Sequence, residues 1–323
     1  MTTPERVTAA LRAAGLLPTG AVVGWDEDLD DRAFSRVSRL DLHYDGATSG
    51  PASIIRKRTA RLTEAQFHEV IQPAAPLPAP TCIAVEHDGD EVELLLEDLA
   101  GSHEHLDLDA PIAPARLVET ARSLARVHAA WWDHARLDEL DGLAPNAQRY
   151  VVEEARKGAG SLFDHLRGTL DTTSRATITT ALDHAAAAGA AVTDAPGRGG
   201  HRTLLHGDAH PANVLFPTTA GAPVLIDWAD WRVGAGPADV AFLVVLSCGP
   251  RERPPIERDV LAAYHDTLVE EGVDGYGADE LGRDYHAALP ALAAYPLFWW
   301  ARGSPGKIWR PALERVLSVL GPG

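Results

Sequence analysis

The sequence predicts an α+β chain in two lobes, an N-terminal antiparallel sheet with one helix followed by a mostly helical C-terminal part. Three observations carry this. The 323 residues exceed what one hydrophobic core usually serves. Apolar residues alternate with period two through the first hundred or so residues and recur at helical spacing after Gly101. A hydrophobic content of 46%, gathered in those periodic segments, excludes a disordered protein. The lobes are expected to be residues 1–100 and 101–323, with a hinge near residues 97–102.

Residues 4–16 read as a short amphipathic helix. Phe34, Leu40, Leu42 and Tyr44 then alternate with polar residues, as in a half-buried strand. Asp45-Gly46 opens a turn and linker reaching Gly50-Pro51, and a strand returns over Ser53–Arg58. Period two puts Ser53, Ile55 and Lys57 on one face, so Lys57 can point into a cleft while Arg56 and Arg58 point away. A helix follows over 62–71, and the stretch 73–80 is too rich in proline for a helix or an inner strand. Apolar runs at 81–86 and 91–96 flank His87-Asp88-Gly89-Asp90, and Asp-Gly between such runs signals a hairpin. Helical spacing then covers 114–134, 146–166 and 174–193, the last rich in alanine. Residues 203–228 read as a short strand pair among helices. Helices return over 237–247, 256–271 and 278–302, with Pro290 and Pro296 expected to kink the last. There is no internal repeat.

Twenty-nine basic against 46 acidic residues give a net charge of −17, which opposes non-specific nucleic-acid binding. That sign suits a soluble surface and would steer a cationic small molecule inward. No apolar run approaches the roughly 20 residues that span a bilayer. The start, Met1-Thr2-Thr3-Pro4-Glu5-Arg6, lacks the basic and apolar regions of a signal peptide. Cys82 and Cys248 lie far apart and make no metal or redox spacing. A reduced, cytoplasmic protein is expected, with no nucleic-acid or membrane partner.

The chemistry gathers in His206-Gly207-Asp208-Ala209-His210-Pro211-Ala212-Asn213 and in Ile226-Asp227-Trp228, where Asp227 stands nineteen residues beyond Asp208. Each follows a short apolar run. Moving a phosphoryl group from a nucleotide to a hydroxyl requires little covalent chemistry from a protein. It requires a carboxylate to orient and deprotonate the hydroxyl, and oxygen ligands to hold Mg²⁺ against the phosphates. An Asp five residues before an Asn, with a second Asp on the next hairpin, supplies these groups. Asp208, Asn213 and Asp227 fit in type, order and spacing.

HGDAHPAN with LIDW resembles the family of aminoglycoside phosphotransferases and choline kinase-like enzymes, a branch of the protein-kinase-like fold. The resemblance covers most of the chain. Pro51-Ala52-Ser53-Ile54-Ile55-Arg56-Lys57 is similar to the family strand ending in the phosphate-binding Lys, and Glu64-Ala65-Gln66-Phe67-His68 to the helix whose Glu pairs with it. Leu94-Leu95-Leu96-Glu97-Asp98-Leu99 resembles the hinge, and Leu124-Ala125-Arg126-Val127-His128-Ala129 a packing helix below it. Gly236-Pro237-Ala238-Asp239-Val240-Ala241 resembles the segment whose Asp braces the catalytic loop.

The resemblance implies Asp208 as the group that orients or deprotonates the acceptor hydroxyl, with Asn213 and Asp227 holding Mg²⁺. ATP or GTP is the implied phosphate donor, with Lys57 on its α/β-phosphates and Glu64 holding the ammonium. Glu69, a little over one helical turn further on, competes with Glu64 for that place. Glu97 and Leu99, in the hinge segment, are expected at the nucleotide. The nucleotide-covering loop should lie near Asp30-Asp31-Arg32-Ala33-Phe34-Ser35, where kinases place glycine so that backbone N–H groups can approach the phosphates. This chain has no glycine there, and Ser35 is expected to meet a phosphate through its hydroxyl or N–H. Asp239 and His206 are implied to be structural, His210 to lie near the phosphate, and His128 to be a satisfied core histidine. His206-x-Asp208-x-His210 also permits a rival, a hydrolytic zinc or iron site, which would want further His or carboxylate ligands.

The acceptor of this fold lies between the catalytic loop and the later helices. Trp231, Phe298, Trp299, Trp300 and Trp309, with Asp230 and Asp284, offer aromatic faces and carboxylates that suit a sugar-bearing or cationic molecule. Tryptophans at helical spacing equally suit a core. The resemblance implies a small hydroxyl-bearing acceptor, first an antibiotic in resistance or self-protection, second a choline-like, sugar or nucleoside alcohol. A kinase-like binding module without turnover is the alternative of another class, and intact Lys57, Asp208, Asn213 and Asp227 argue against it.

Overall fold

The period-two segments before Gly101 form one antiparallel sheet of β1 (Val22–Asp31), β2 (Ser35–Tyr44), β3 (Ser53–Thr59), β4 (Cys82–Asp88) and β5 (Glu91–Glu97), ordered β1-β2-β3-β5-β4. The structure is a computed structural model and describes residues 2–31, 35–46, 49–143, 147–191 and 200–321. It falls into two units, Met1–Glu104 with Pro217–Ala220, and His105–Phe216 with Gly221–Gly323. The sheet belongs to the first.

Its faces are covered by different residues because successive side chains alternate. Val7 and Leu11 of α1 (Pro4–Ala13) pack with Val22, Leu40, Ile54 and Leu95. Ala65 of α2 (Leu62–Gln66) packs with Val92, Leu94 and Leu96. The helix expected over 62–71 is thus five α-helical residues followed by a π turn at Phe67–Ile71. A short strand, β6 (His103–His105), follows the hinge segment.

β1 was not expected. Asp26, Glu27, Asp28, Asp30 and Asp31 give it a composition that strands avoid. As the sheet's outer strand it can carry charge, which blunts an edge against pairing with another chain. Ser38 on β2 donates to Glu27 at 2.6 Å, and Arg56 on β3 pairs with the same carboxylate. The expected covering loop at 30–35 is therefore the β1–β2 connection. Asp30 and Asp31 end β1, Ser35 opens β2 opposite Thr59, and Arg32, Ala33 and Phe34 lie outside the described residues.

The second unit is helical around a few short strands. Its elements are α3 (Pro114–Ala130), α4 (Leu137–Asp141), α5 (Ala147–His165), α6 (Thr172–Ala191), β7 (Thr203–Leu205), β8 (Val214–Pro217), β9 (Val224–Leu225), β10 (Arg232–Gly234), α7 (Pro237–Ser247), α8 (Arg253–Glu270), α9 (Ala278–Ala288), α10 (Ala294–Ala301) and α11 (Gly306–Leu320). Every residue of α7 from Val240 to Leu246 is buried, as befits a helix apolar on all sides.

The helix expected over 278–302 is two. Pro290 sits in a 3₁₀ turn, Leu289–Ala293, that separates α9 from α10. Pro296 falls in the first turn of α10, where its missing N–H costs no helical bond, and so it starts a helix instead of kinking one. α11 was not expected either. Pro305 precedes the helix and Pro311 is carried inside it, while Trp309, Ala312, Leu313 and Val316 supply a buried stripe at helical spacing. Among the described residues no helix is long and apolar enough to cross a membrane.

Candidate active site

His206–Asn213 connects β7 to β8 and is fixed from both sides. β7 pairs antiparallel with β10, Leu205 opposite Arg232, and β8 pairs with β9, Val214 opposite Leu225. The second pairing brings Asn213 against Ile226, whose N–H donates to the Asn213 carbonyl at 2.9 Å. Asp227 is thereby set beside the end of the loop although fourteen positions separate it from Asn213 in sequence. Gly207 turns the loop at φ +85°, and a Cβ there would lie 2.0 Å from the Asp230 carbonyl oxygen. Only glycine satisfies both the dihedral and the space.

Asp239, in the first turn of α7, receives the loop backbone. Its Oδ2 accepts from His206 N–H at 2.6 Å and its Oδ1 from Gly207 N–H at 3.0 Å. His128 of α3 adds Nε2 at 3.3 Å, and the other ring nitrogen lies 2.8 Å from the Tyr264 hydroxyl. Burial alone would raise the Asp239 pKa, but the hydrogen bond and charge of His128, with Arg232 and His206, hold it below the ordinary carboxylate value. Gly236 leaves room for this chain of side chains, since a Cβ there would meet the Tyr264 hydroxyl at 2.3 Å.

His206 has a fixed tautomer. Its Nε2 donates to the Ile226 carbonyl at 3.0 Å, tying the loop to β9, and its Nδ1 accepts from Asp208 N–H at 3.3 Å. Burial lowers its pKa against the pull of Asp239 and Asp208, so the ring stays neutral. With both nitrogens engaged, His206 is unavailable as a metal ligand. Among the described residues no group of three or more His, Cys, Asp or Glu is placed to hold a metal, so the zinc or iron reading of His206, Asp208 and His210 loses its geometry.

Asp208 is aimed by its neighbours. Asn213 Nδ2 donates to the Asp208 carbonyl at 2.9 Å and to its Oδ2 at 3.1 Å, and His210 Nε2 lies 3.4 Å from the same oxygen. Burial works against an imidazolium at His210, but the Asp208 carboxylate outweighs it and raises the pKa above the ordinary value. Asn213 spends its amide nitrogen on Asp208, which leaves Oδ1 as its ligand atom. Asp227 is left-handed at φ 62°, ψ 63°, an uncommon conformation for a non-glycine residue and one that clusters at functional sites. An amide oxygen and a carboxylate, completed by phosphate and water, make a donor set that fits Mg²⁺.

In the first unit Lys57 Nζ donates to Glu64 Oε1 at 2.7 Å, and both residues are buried. The rival Glu69 instead meets the exposed His87 at 2.9 Å. Glu64→Ala should therefore destabilise by about 3–5 kcal/mol by removing one member of a buried ion pair, whereas Glu69→Ala should change stability by less than about 1 kcal/mol. Chemical unfolding of the two variants checks this, and equal effects would reject Glu64 as the partner. Glu97 accepts from the Thr81 hydroxyl at 2.8 Å, and the Leu99 carbonyl from the N–H groups of Ser102 and His103.

The expected acceptor residues separate. Trp231 is wholly buried, and Trp300 packs against His165 and Trp309 while its Nε1 donates to Ser161 at 2.9 Å. Both serve packing. Asp230 precedes Trp231 and is half-buried, and Asp284 accepts from Tyr276 at 3.0 Å. Trp299 shares a wall with the loop, in a cavity of about 130 Å³ bounded also by His210 and Pro211.

The sequence pattern of the phosphotransferase enzyme family, APH, matches residues 51–281. The chain belongs to that family. Its members' fold is seen again in solved structures that this phosphotransferase resembles along nearly its whole length. A choline kinase from Cryptosporidium parvum Iowa II is 12% identical with TM-score 0.61, over 98% of this chain and 94% of that one. An ethanolamine kinase from Plasmodium vivax is 11% identical with TM-score 0.56, over 92% and 82%. A macrolide 2′-phosphotransferase type I is 15% identical with TM-score 0.52, over 100% and 99%. No curated protein matches the chain in sequence. The phosphotransferase also uses two residues that sequence reading passed over. Arg232, half-buried on β10, donates to the Gly207 carbonyl at 3.2 Å, and a cation beside Trp231 was its available signal. Tyr264 lies 136 positions from the His128 it meets and gave none.

Proposed function

We propose that this phosphotransferase moves the γ-phosphate of ATP or GTP, held with Mg²⁺, to a hydroxyl of a small molecule. The observation that carries the reading is the Asp208 carboxylate, aimed by Asn213 on a loop whose backbone Asp239 grips, with left-handed Asp227 set beside it. Asp208 accepts the hydroxyl proton. The hydroxyl oxygen bonds to the γ-phosphorus as that atom's bond to the β–γ bridging oxygen breaks, and nucleoside diphosphate leaves. Asn213 and Asp227 are the residues that would hold Mg²⁺, which when bound neutralises charge on the phosphates. Lys57, held by Glu64, would position the α/β-phosphates, with Ser35, Glu97 and Leu99 as further nucleotide contacts.

An antibiotic is the acceptor class that family membership suggests first. A specific observation favours the second class, a small metabolic alcohol. The cavity reached by His210, at about 130 Å³, is below the roughly 300–1,000 Å³ of sites for drug-sized ligands. The test is incubation with Mg²⁺ and ATP or GTP against hydroxyl-bearing antibiotics and small alcohols, with product read by mass spectrometry. Phosphorylated product that requires Asp208 supports the reading and names the acceptor class. Absence of nucleotide binding would overturn it.

A further inference from the structure

The cavity beside the loop is assembled from four separate parts of the second unit. They are the segment Leu108–Ile112, His210-Pro211 of the loop, Leu246-Ser247 at the end of α7, and Trp299 with α11 as far as Arg315. Its wall mixes apolar residues with Asp109, His210, Ser247, Lys307 and Arg315. Its polar groups are unusual in how little of the protein they meet.

Arg315 is half-buried on this wall and donates to one carbonyl, that of Leu246. Among the described residues no carboxylate lies within 4 Å of its guanidinium, although Glu252 and Glu314 are near enough to act at longer range. Burial pulls its pKa below the ordinary guanidinium value. A guanidinium has five N–H donors and is costly to withdraw from water without an anion. Ser247 Oγ, on the same wall, is buried with no hydrogen-bond partner among the described residues, and so is His210 Nδ1. At the rim, Lys307 is already paired with Asp109 at 2.7 Å and contributes no net charge.

We propose that this cavity seats an acidic group of the acceptor, a carboxylate or a phosphate, with Arg315 as its counter-ion and Ser247 as a second donor. The inference rests on the phosphotransfer reading for the identity of the ligand as acceptor. His210 joins the two ends, because it lines the cavity and its Nε2 stands 3.4 Å from Asp208 Oδ2. An acceptor anchored by its anion at Arg315 presents its hydroxyl end toward Asp208. The carboxylate of a hydroxy acid matches the planar fork of arginine in two parallel hydrogen bonds, and a phosphate monoester does the same. The net charge of −17 repels anions at long range, so selectivity for them has to be local and has to depend on Arg315. The same groups disfavour a polycationic aminoglycoside in this cavity.

Binding is measured on the full chain with Mg²⁺ and a non-hydrolysable ATP analogue, by calorimetry and thermal shift. The probes are short ω-hydroxy acids, the amides of those acids, amino alcohols of equal length, and glycerol phosphate against glycerol. Acids or glycerol phosphate should bind about tenfold or more tightly than their uncharged counterparts. Which anion wins distinguishes carboxylate from phosphate. Arg315→Met should bring the charged and uncharged probes to near parity, and Arg315→Lys should restore part of the difference. Ser247→Ala, which leaves the Arg315–Leu246 contact alone, should reduce the preference by about threefold if Arg315→Met does not fold. Equal binding of acids and amides, preference for amino alcohols, or a preference unchanged in Arg315→Met or Ser247→Ala overturns the proposal. Binding of the nucleotide analogue is scored in the same samples. Its loss would overturn the phosphotransfer reading while the anion preference is still read from the thermal shifts.

Discussion

Asp208→Asn is expected to lower turnover by about 10²–10⁴-fold while nucleotide affinity stays within a few-fold of the parent enzyme. The substitution keeps the shape that Asn213 and His210 pack against, at 3.1 and 3.4 Å from the affected oxygen. It removes the capacity to take a proton together with the charge that His210 meets. Under transition-state arithmetic that range is about 3–5 kcal/mol of barrier, more than a loop hydrogen bond supplies. Asp227→Asn should fail differently, by weakening Mg²⁺-dependent nucleotide binding itself. The pair of variants separates the proton acceptor from the metal ligand by a kcat effect against a binding effect. Full turnover in Asp208→Asn would remove the assigned role of the loop, and a binding module without turnover would show neither effect on kcat. The measurement is steady-state kinetics with an acceptor from the panel, beside nucleotide titration.

Local sequence carried the α+β outline and the order of most elements. Period two sets Lys57 on β3, and Asp208, Asn213 and Asp227 each lie within three residues of a short strand. The choice between Glu64 and Glu69 was not legible locally, since both lie in the same short helical stretch. It is decided by the π turn and by which carboxylate reaches the buried ammonium. β1 was missed because its acidic residues are tolerated only at a sheet edge, and edge position is a property of the whole sheet. α11 was missed although Trp309, Ala312, Leu313 and Val316 form an apolar stripe at helical spacing around Pro311. Of the tryptophans expected at the acceptor, Trp231 is wholly buried, while Trp300 is part-buried with its indole N–H on Ser161. The cavity at Arg315 had no sequence signature, because its walls come from positions 108 to 315 and no two adjoining segments share a motif.

Asp239→Asn is expected to cost about 3–5 kcal/mol of stability, the usual penalty for removing one member of a buried charged network. The amide cannot accept from both His206 and Gly207 without turning its NH₂ toward one of those donors or toward His128. Each buried N–H left unpaired costs about 1–3 kcal/mol. His206 would lose its backbone anchor while its ring still bonds Ile226, so the loop would shift relative to β9 and carry Asp208 with it. A displacement near 1 Å in a reacting group lowers rate by about 10²-fold, so the folded fraction of the variant should be impaired as well as less abundant. The pH dependence follows from the lowered Asp239 pKa. The unfolded state binds this proton at higher pH than the folded state does, so stability is complete above the ordinary carboxylate value of about 3.9 and is lost as pH falls through the lower folded value. Urea unfolding of both proteins from neutral to acid pH should show a gap that narrows only in that acid range. A gap under about 1 kcal/mol at neutral pH, or one independent of pH down to the acid limit, would show that the loop is held by something other than this carboxylate.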